Sequence, residues 1–264
     1  MSILLAIVLG ALIGLSLGAL GGGGSILTVP ALVYVLGQSA HQAVAESLIV
    51  VGITSIVAAI SHARVHHVRW GTAIVFGVLG IVTSYLGSAL SALIDPNLLL
   101  LAFAVLVLIA AVAMWTRTRP KHGKEAAPPT TLRVDGRWNH AVVLRVVSSA
   151  LIVGFLTGFL GVGGGFVIVP ALVLSLGMEM PVAVGTSLLV IAINCAVSLV
   201  PHLGTATIDW KIVIPFTLGA IAASLGGKLL AGKASGKWLT RSLVFLLIAV
   251  AIYIATRSVL ALTA

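Results

Sequence analysis

A glycine-rich stretch occurs twice in this chain: GLSLGALGGGG at residues 14–24 and GFLTGFLGVGG at residues 154–164. Each copy leads into the same five residues, VPALV, at 29–33 and at 169–173. Both copies lie inside apolar segments, where a cluster of glycines lowers the stability of a helix. A break of this kind at membrane depth in each half of a chain indicates a binding site formed by half-helices.

The composition is that of a membrane protein. Hydrophobic residues make up 60% of the 264 and charged residues 8%, and the mean hydropathy is +1.23, which a water-soluble domain does not tolerate. Apolar runs of about 20 residues, long enough to cross a bilayer, recur along the whole chain. The N-terminus is apolar at once and has no basic n-region, so we interpret it as the first membrane segment and not as a signal peptide.

The predicted fold class is an all-α polytopic membrane protein with two inverted repeats of four membrane segments each. We expect the first segment of each repeat to be broken, or hairpin-like, at its glycine cluster. The predicted domains are a first transmembrane repeat at 1–115, a cytoplasmic basic loop at 116–141 and a second transmembrane repeat at 142–264. The predicted segments are 3–20 continued by 25–36, 42–60, 70–93, 98–115, 142–160 continued by 166–176, 182–200, 210–230 and 239–260.

The two halves align without a gap at an offset of 140 residues (158 − 18 = 140). About a third of the positions between residues 14 and 87 are identical to their partners, which indicates an internal duplication. The matched pairs include Gly18 with Gly158, Pro30 with Pro170, Gly37 with Gly177, Ser47 with Ser187, His62 with His202, Trp70 with Trp210 and Gly87 with Gly227.

The distribution of Lys and Arg favours inverted over parallel repeats. If each glycine-rich element were a simple crossing, the halves would be parallel, and the positive-inside rule would be violated by four basic residues outside: Lys228, Lys233, Lys237 and Arg241. If each element enters and returns as a broken hairpin, the halves are inverted, and Lys211 and Arg257 alone lie outside. The replacement of Arg69 in the first copy by Asp209 in the second agrees with equivalent loops facing opposite compartments.

The denser glycine clusters predict a site for one small anion. A helix that begins after a break has N–H groups without an intrahelical partner and a positive dipole end. Two such ends, one from each repeat, are expected to converge near the membrane midplane. The candidate residues are Gly22, Gly23, Gly24 and Ser25 in the first copy and Gly163, Gly164 and Gly165 in the second. For Gly14, Gly18, Gly154 and Gly158, we favour close helix packing through small residues instead.

Polar residues near the beginning of the next segment are the other candidates for anion binding. Ser47, Thr186 and Ser187 can donate hydroxyl hydrogen bonds to an anion or bond back to their own helix. Asn194 lies about two turns after Ser187 on the same face, and its repeat counterpart is Thr54. A mid-segment amide lines a cavity or bonds across helices, and the sequence leaves both open.

Glu46 has two interpretations that the sequence does not separate. As an ionisable group at or just inside a membrane segment, it can carry a coupling proton. As a glutamate in the first turn of a helix, it would be exposed at the interface and favoured by the helix dipole.

Other functional classes find little support. His62 and His202 match in the repeat but lack Cys and carboxylate partners at metal spacing, so we predict no metal site and place them as interfacial or capping residues. The chain has six acidic residues and one cysteine, and no Ser-His-Asp or Cys-His catalytic arrangement can be recognised among them. We therefore predict that the protein is not an enzyme and has no cofactor. The net charge is +9, and the basic residues that produce it fall into the segments between the membrane helices. This distribution fits positive-inside topology better than nucleic acid binding.

The paired glycine elements, each followed by VPAL and by a short turn ending in Ser-Leu, resemble the TauE/SafE sulfite exporter family. The resemblance covers both halves apart from the central loop. Residues 158–170 with Gly185-Thr186-Ser187-Leu188 are the more typical copy, whereas the first half has Ala45-Glu46 where Gly-Thr is expected. The resemblance implies a multi-pass protein of the bacterial inner membrane that transports sulfite, thiosulfate, sulfonates or similar anions, mainly outward.

We therefore expect a secondary transporter whose partners are a small anion and the lipid bilayer; the sequence also allows a homodimer. Two alternatives remain at this point. An anion channel would use the glycine clusters as a selectivity constriction. A non-transporting membrane assembly partner would use them for packing alone.

Overall fold

The part of the chain that the structure describes folds almost entirely into helices. The computed structural model describes residues 2–91, 94, 96–117, 133–134, 137–138, 140–160, 165–200, 207–233 and 236–263. The helices are α1 (Ser2–Leu20), α2 (Gly23–Pro30) continued by a π-helical turn (Ala31–Val35), α3 (Ala40–Ala63), α4 (Trp70–Ser91), α5 (Pro96–Arg117), α6 (His140–Leu160), α7 (Gly165–Leu176), α8 (Met180–Leu199), α9 (Trp210–Lys233) and α10 (Gly236–Thr263). Two short antiparallel strands, β1 (Arg133–Val134) and β2 (Arg137–Trp138), pair between α5 and α6.

Within the described ranges, six helices are long and apolar enough to cross a membrane. They are α1, α3, α4, α6, α8 and α9. The prediction of an all-α polytopic membrane protein is therefore confirmed. Most of the loop predicted at 116–141 lies outside the described residues, and the predicted domain bounds stay a prediction.

Two helices, α3 and α8, lie at the centre and run antiparallel. A Cβ built on Gly52, in the middle of α3, would lie 3.2 Å from the Cβ of Cys195 on α8. A Cβ built on Gly185, near the start of α8, would lie 3.0 Å from the Cβ of His62 at the end of α3. A larger share of these two spans is buried inside the protein than of any other candidate span in the described residues, so they form the core of the bundle.

Helix α1 packs along α9, and α6 packs along α4, each through a seam of glycines. A Cβ on any of these glycines would overlap the backbone of the facing helix. The contacts are Gly10 with Phe216, Gly14 with Ala220, Gly18 with Ser224, Gly154 with Gly80 and Gly158 with Ser84. Residue numbers rise together along both seams, so the paired helices run parallel. These contacts show close helix packing, the role that the sequence favoured, at Gly14, Gly18, Gly154 and Gly158.

The chain reverses inside the first glycine-rich stretch. Gly21, with φ of +72°, follows the end of α1 in a conformation that L-residues with side chains rarely adopt. A Cβ on Gly24 would lie 2.6 Å from the carbonyl oxygen of Ile13 and 3.0 Å from the Cβ of Leu17, so α2 returns along the helix that precedes it. In the second copy, residues 161–164 lie outside the described residues, between α6 and α7.

Candidate functional site

The starts of α2 and α7 lie side by side. A Cβ built on Gly165, the first residue of α7, would lie 2.5 Å from the Ser25 hydroxyl oxygen on α2. The two residues hold equivalent positions in the repeats, since 165 − 25 = 140. The structure therefore brings together Ser25 and Gly165 from the predicted set, while Gly163 and Gly164 lie outside the described residues.

The beginning of α2 is buried and has no side-chain cap. All four glycines at 21–24 are buried, and Gly22 precedes the helix without a side-chain hydrogen bond to its first turn. The Ser25 hydroxyl donates to the Gly22 carbonyl oxygen at 2.7 Å, so it does not satisfy the N–H groups of that turn. The Ser25 N–H donates to the same carbonyl oxygen at 3.3 Å. A buried helix start whose first turn has no side-chain cap is well suited to an anion.

Ser187 on α8 faces this helix start. A Cβ on Gly21 would lie 2.6 Å from the Ser187 hydroxyl oxygen. The Ser187 hydroxyl donates to the Val184 carbonyl at 2.8 Å, and the Ser47 hydroxyl donates to the Val44 carbonyl at 2.7 Å. Of the two alternatives for these hydroxyls, the structure has the bond back to the same helix. Each would have to rotate before it could donate to an anion.

Four buried side-chain oxygens on α3 and α8 have no hydrogen-bond partner among the described residues: Glu46 Oε2, Thr54 Oγ1, Ser55 Oγ and Asn194 Oδ1. Thr54 and Asn194 are repeat counterparts, and each follows the serine at 47 or 187 by seven residues, which places it on the same helix face. Because Ser187 faces Gly21, Asn194 lies on the face of α8 that is turned toward the start of α2. Unpaired buried polar groups are costly and therefore mark a place where a ligand can complete them.

Sequence reasoning did not name Thr54 and Ser55 as candidates. Thr54 is the repeat counterpart of the candidate Asn194, and this relation is the signal from which Thr54 can be found in the sequence. For Ser55 no comparable signal existed, because its counterpart is the buried Cys195.

Glu46 lies in the second turn of α3 and is fully buried. Its Oε1 accepts a hydrogen bond from the Asp209 backbone N–H, with an N···O distance of 2.9 Å. Asp209 directly precedes α9, so Glu46 satisfies the start of a helix in the other repeat. Oε2 has no partner among the described residues. The interpretation of Glu46 as an exposed residue in the first turn of its own helix is therefore wrong.

Thr186 makes the repeat-related contact. Its Oγ1 accepts from the Arg69 backbone N–H at 3.1 Å, and Arg69 directly precedes α4. The pairs 46 with 186 and 69 with 209 both differ by 140. The predicted site residue Thr186 thus lies on the side of α8 that contacts the start of α4.

His62 is buried, and its Nε2 lies 3.2 Å from the Gly18 carbonyl oxygen in the last turn of α1. This position fits a capping role and not an interfacial one. Its counterpart His202 lies outside the described residues. No group of three or more His, Cys, Asp or Glu that could hold a metal ion occurs in the part of the chain that the structure describes.

Comparison with known proteins places this geometry in context. The family model described as Sulfite exporter TauE/SafE matches residues 6–254. A probable membrane transporter protein of Xylella fastidiosa (strain Temecula1) is 36% identical over 264 residues, covering 97% of this chain and 96% of that protein. The probable membrane transporter protein YunE of Bacillus subtilis is 25% identical, covering 87% of each chain. No solved structure matches the chain.

Proposed function

Because the chain belongs to the TauE/SafE sulfite exporter family and is a membrane transporter, we propose that it carries small sulfur-containing anions such as sulfite, thiosulfate or sulfonates. The proposed direction is export across the inner membrane of a bacterium. A mobile anion leaves the cytoplasm downhill along a negative-inside potential, whereas uptake would need a coupled cation.

The observation that carries this proposal is the buried, uncapped start of α2 next to the start of α7. Backbone N–H groups donate hydrogen bonds without carrying a formal charge, and the helix dipole adds a positive end. In the proposed site, Gly22, Gly23 and Gly24 supply these N–H groups, and the second copy contributes through Gly163, Gly164 and Gly165. Side-chain donors for the oxyanion come from Ser25, Ser187 and Asn194, to which the structure adds Thr54. Ser47 and Thr186, which the sequence also predicted, lie at the contacts of Glu46 with Asp209 and of Thr186 with Arg69 and are not assigned to this site.

We also propose that the two repeats are inverted across the membrane. The antiparallel course of α3 and α8, which are repeat counterparts, supports this, as does the small number of basic residues that the inverted topology leaves outside. Inverted repeats allow one central site to open to either side by exchange of conformations between the halves. Cysteine-accessibility labelling at positions 211 and 233, the two ends of α9, tests the topology: the inverted model places 211 outside and 233 in the cytoplasm, and the reverse result would contradict it.

For coupling, we propose that Glu46 carries a proton. The Glu46→Gln variant is expected to lose pH-driven flux in proteoliposomes while it keeps anion binding. Unchanged pH-driven flux in this variant would reject the coupling role and leave the anion site untouched.

The substrate class is tested by thermal stabilisation of the purified protein with sulfite, thiosulfate, sulfate and short sulfonates. A ligand at about 100 times its Kd stabilises the folded protein by about 2.7 kcal/mol, which is a readily measured shift. Saturable flux stimulated by counter-substrate is expected in proteoliposomes, whereas conductance beyond carrier turnover would indicate a channel. Stabilisation by none of these anions would contradict the proposal.

A further inference from the structure

Each repeat completes the start of a helix that belongs to the other. The Glu46 carboxylate on α3 accepts from the N–H of Asp209, directly before α9. The Thr186 hydroxyl on α8 accepts from the N–H of Arg69, directly before α4. In a capping box, a side chain of the same helix bonds to this N–H; here a side chain of another helix takes that place. We call these the α9 contact (Glu46 with Asp209) and the α4 contact (Thr186 with Arg69).

The two contacts lie at opposite ends of the bundle. Glu46 is in the second turn of α3, whereas the α4 contact lies near the end of α3, where Gly185 packs against His62. Residues 46 and 62 are 16 positions apart, which corresponds to about 24 Å of helix at 1.5 Å per residue. That length approaches the thickness of the hydrocarbon core, so one contact belongs to each face of the membrane.

We infer that these two contacts hold the two faces of the transporter closed, and that a proton releases the α9 contact alone. This inference rests on the proposed transport function and specifies how Glu46 acts in it. The ionised carboxylate makes a charge-assisted hydrogen bond and faces the positive end of α9. Protonation removes that charge, so the α9 contact weakens. The Thr186 hydroxyl carries no charge to lose, so the α4 contact stays as it is.

Other ionisable groups surround α3 and must be separated from Glu46. The Asp209 side chain accepts from the Lys211 backbone N–H at 3.0 Å, and its negative charge repels that of Glu46. On the elements that pack against α3, which are α1, α2, the π-helical turn, α8 and α9, and on α3 itself, the remaining ionisable side chains in the described ranges are Tyr34, His41, His62, Cys195, Lys211, Lys228 and Lys233. His62 and its neighbour His67 lie at the α4 contact, with ring centroids 6.1 Å apart.

The repeat offers a matched pair of reporters for the two faces. Ala43 and Ala183 are repeat counterparts, both fully buried, and each precedes the accepting residue of its contact by three positions. Each is changed singly to cysteine in a Cys195→Ser background, which carries at 195 the residue that the first repeat has at 55. The labelling rate with a membrane-impermeant thiol reagent then reports how often each face opens. No substrate is needed, so this readout is independent of the anion assignment.

The comparison uses Glu46→Leu, which has no acceptor, as the open reference at each pH. Dividing by this reference cancels the effect of pH on the thiol and on His62. With Glu46 intact, labelling at position 43 is expected to be about tenfold slower than the reference near pH 8 and to approach it near pH 4, since a charged acceptor contributes more than a neutral one. With Glu46→Gln, the ratio is expected to be independent of pH.

Two further variants separate the hydrogen bond from the other charges. Asp209→Asn removes the carboxylate repulsion and is expected to keep the pH effect at position 43. Thr186→Val is expected to speed labelling at position 183 several-fold and to leave position 43 unchanged. A pH effect at position 43 that survives Glu46→Gln, or equal responses of both reporters to Glu46→Leu, would overturn the inference. Anion binding that persists in either case would leave the proposed function standing.

Discussion

In the part of the chain that the structure describes, the start of α7 approaches the start of α2 at Gly165 and Ser25, and replacing Gly165 with alanine perturbs this approach directly. The new Cβ would lie 2.5 Å from the Ser25 hydroxyl oxygen and 3.2 Å from Ile191 Cδ1. Ordinary van der Waals contact begins near 3.4 Å, so the two helix starts must separate by about 0.9 Å or Ser25 must turn away.

Both responses are costly. Turning Ser25 breaks its hydrogen bond to the Gly22 carbonyl, at about 1 kcal/mol. Separating the helix starts costs about 1–3 kcal/mol, the usual range for an overpacked core. If both helix starts hold the anion, this free energy is lost from binding, and Gly165→Ala is expected to weaken anion affinity about tenfold to a hundredfold.

A double-mutant cycle combines Gly165→Ala with Ser25→Gly. The second change gives the first repeat the residue that the second repeat has at the equivalent position. It removes the clashing oxygen and leaves Ile191 as the nearest neighbour of the new Cβ. Anion affinity measured by calorimetry on all four proteins should therefore give a coupling free energy of about 1 kcal/mol or more, because Gly165→Ala is expected to cost much less affinity in the Ser25→Gly background than in the wild type. Wild-type affinity in Gly165→Ala, or strictly additive losses in a double variant of unchanged thermal stability, would refute convergence of the two helix starts on one anion.

Two more predictions use matched controls in the same chain. Gly14→Ala is expected to lower the free energy of unfolding by about 1–3 kcal/mol, because its Cβ meets the backbone of α9; Gly226→Ala, with open space around its Cβ, should change it by less than about 1 kcal/mol, and equal effects would contradict the seam. Thr54→Val should raise thermal stability without ligand and weaken anion binding about fivefold, because it removes an unpaired buried hydroxyl. Ser47→Ala removes a hydroxyl that is already bonded to its own helix, so a rise in stability there would refute this reasoning.

Much of the helical framework follows from the sequence, because a membrane span needs only length and apolarity. The ends of the spans do not follow so directly. The segment predicted at 42–60 is the helix Ala40–Ala63, which begins where the Ser39 side chain accepts from the Gln42 N–H at 3.4 Å. A polar cap of this kind sets the helix start without changing the hydropathy that the prediction follows.

The polar residues of the candidate site are harder to predict from the sequence than the helices are. Glycines that break a helix can be recognised from sequence because no other residue tolerates such packing and turning. Hydroxyl groups cannot be assigned in the same way. Ser47 and Thr54 lie on one face of the same helix, but only the Ser47 hydroxyl donates a hydrogen bond to a backbone carbonyl. That difference depends on rotamers and local helix geometry, which hydropathy and repeat spacing do not encode.

The contact of Glu46 cannot be predicted from the sequence for a further reason. Its partner, Asp209, is 163 residues away in the other repeat, and a duplication relates equivalent positions without saying which of them touch. Once the contact of Thr186 with Arg69 is known, the offset of 140 gives the contact of Glu46 with Asp209, so each one supports the other. The chemistry differs between them in an informative direction. A structure selected for stability alone would not place two carboxylates at one helix start, where they repel. A contact weakened by that repulsion is easier to break. A transporter with two closing faces requires that the α9 contact and the α4 contact break alternately.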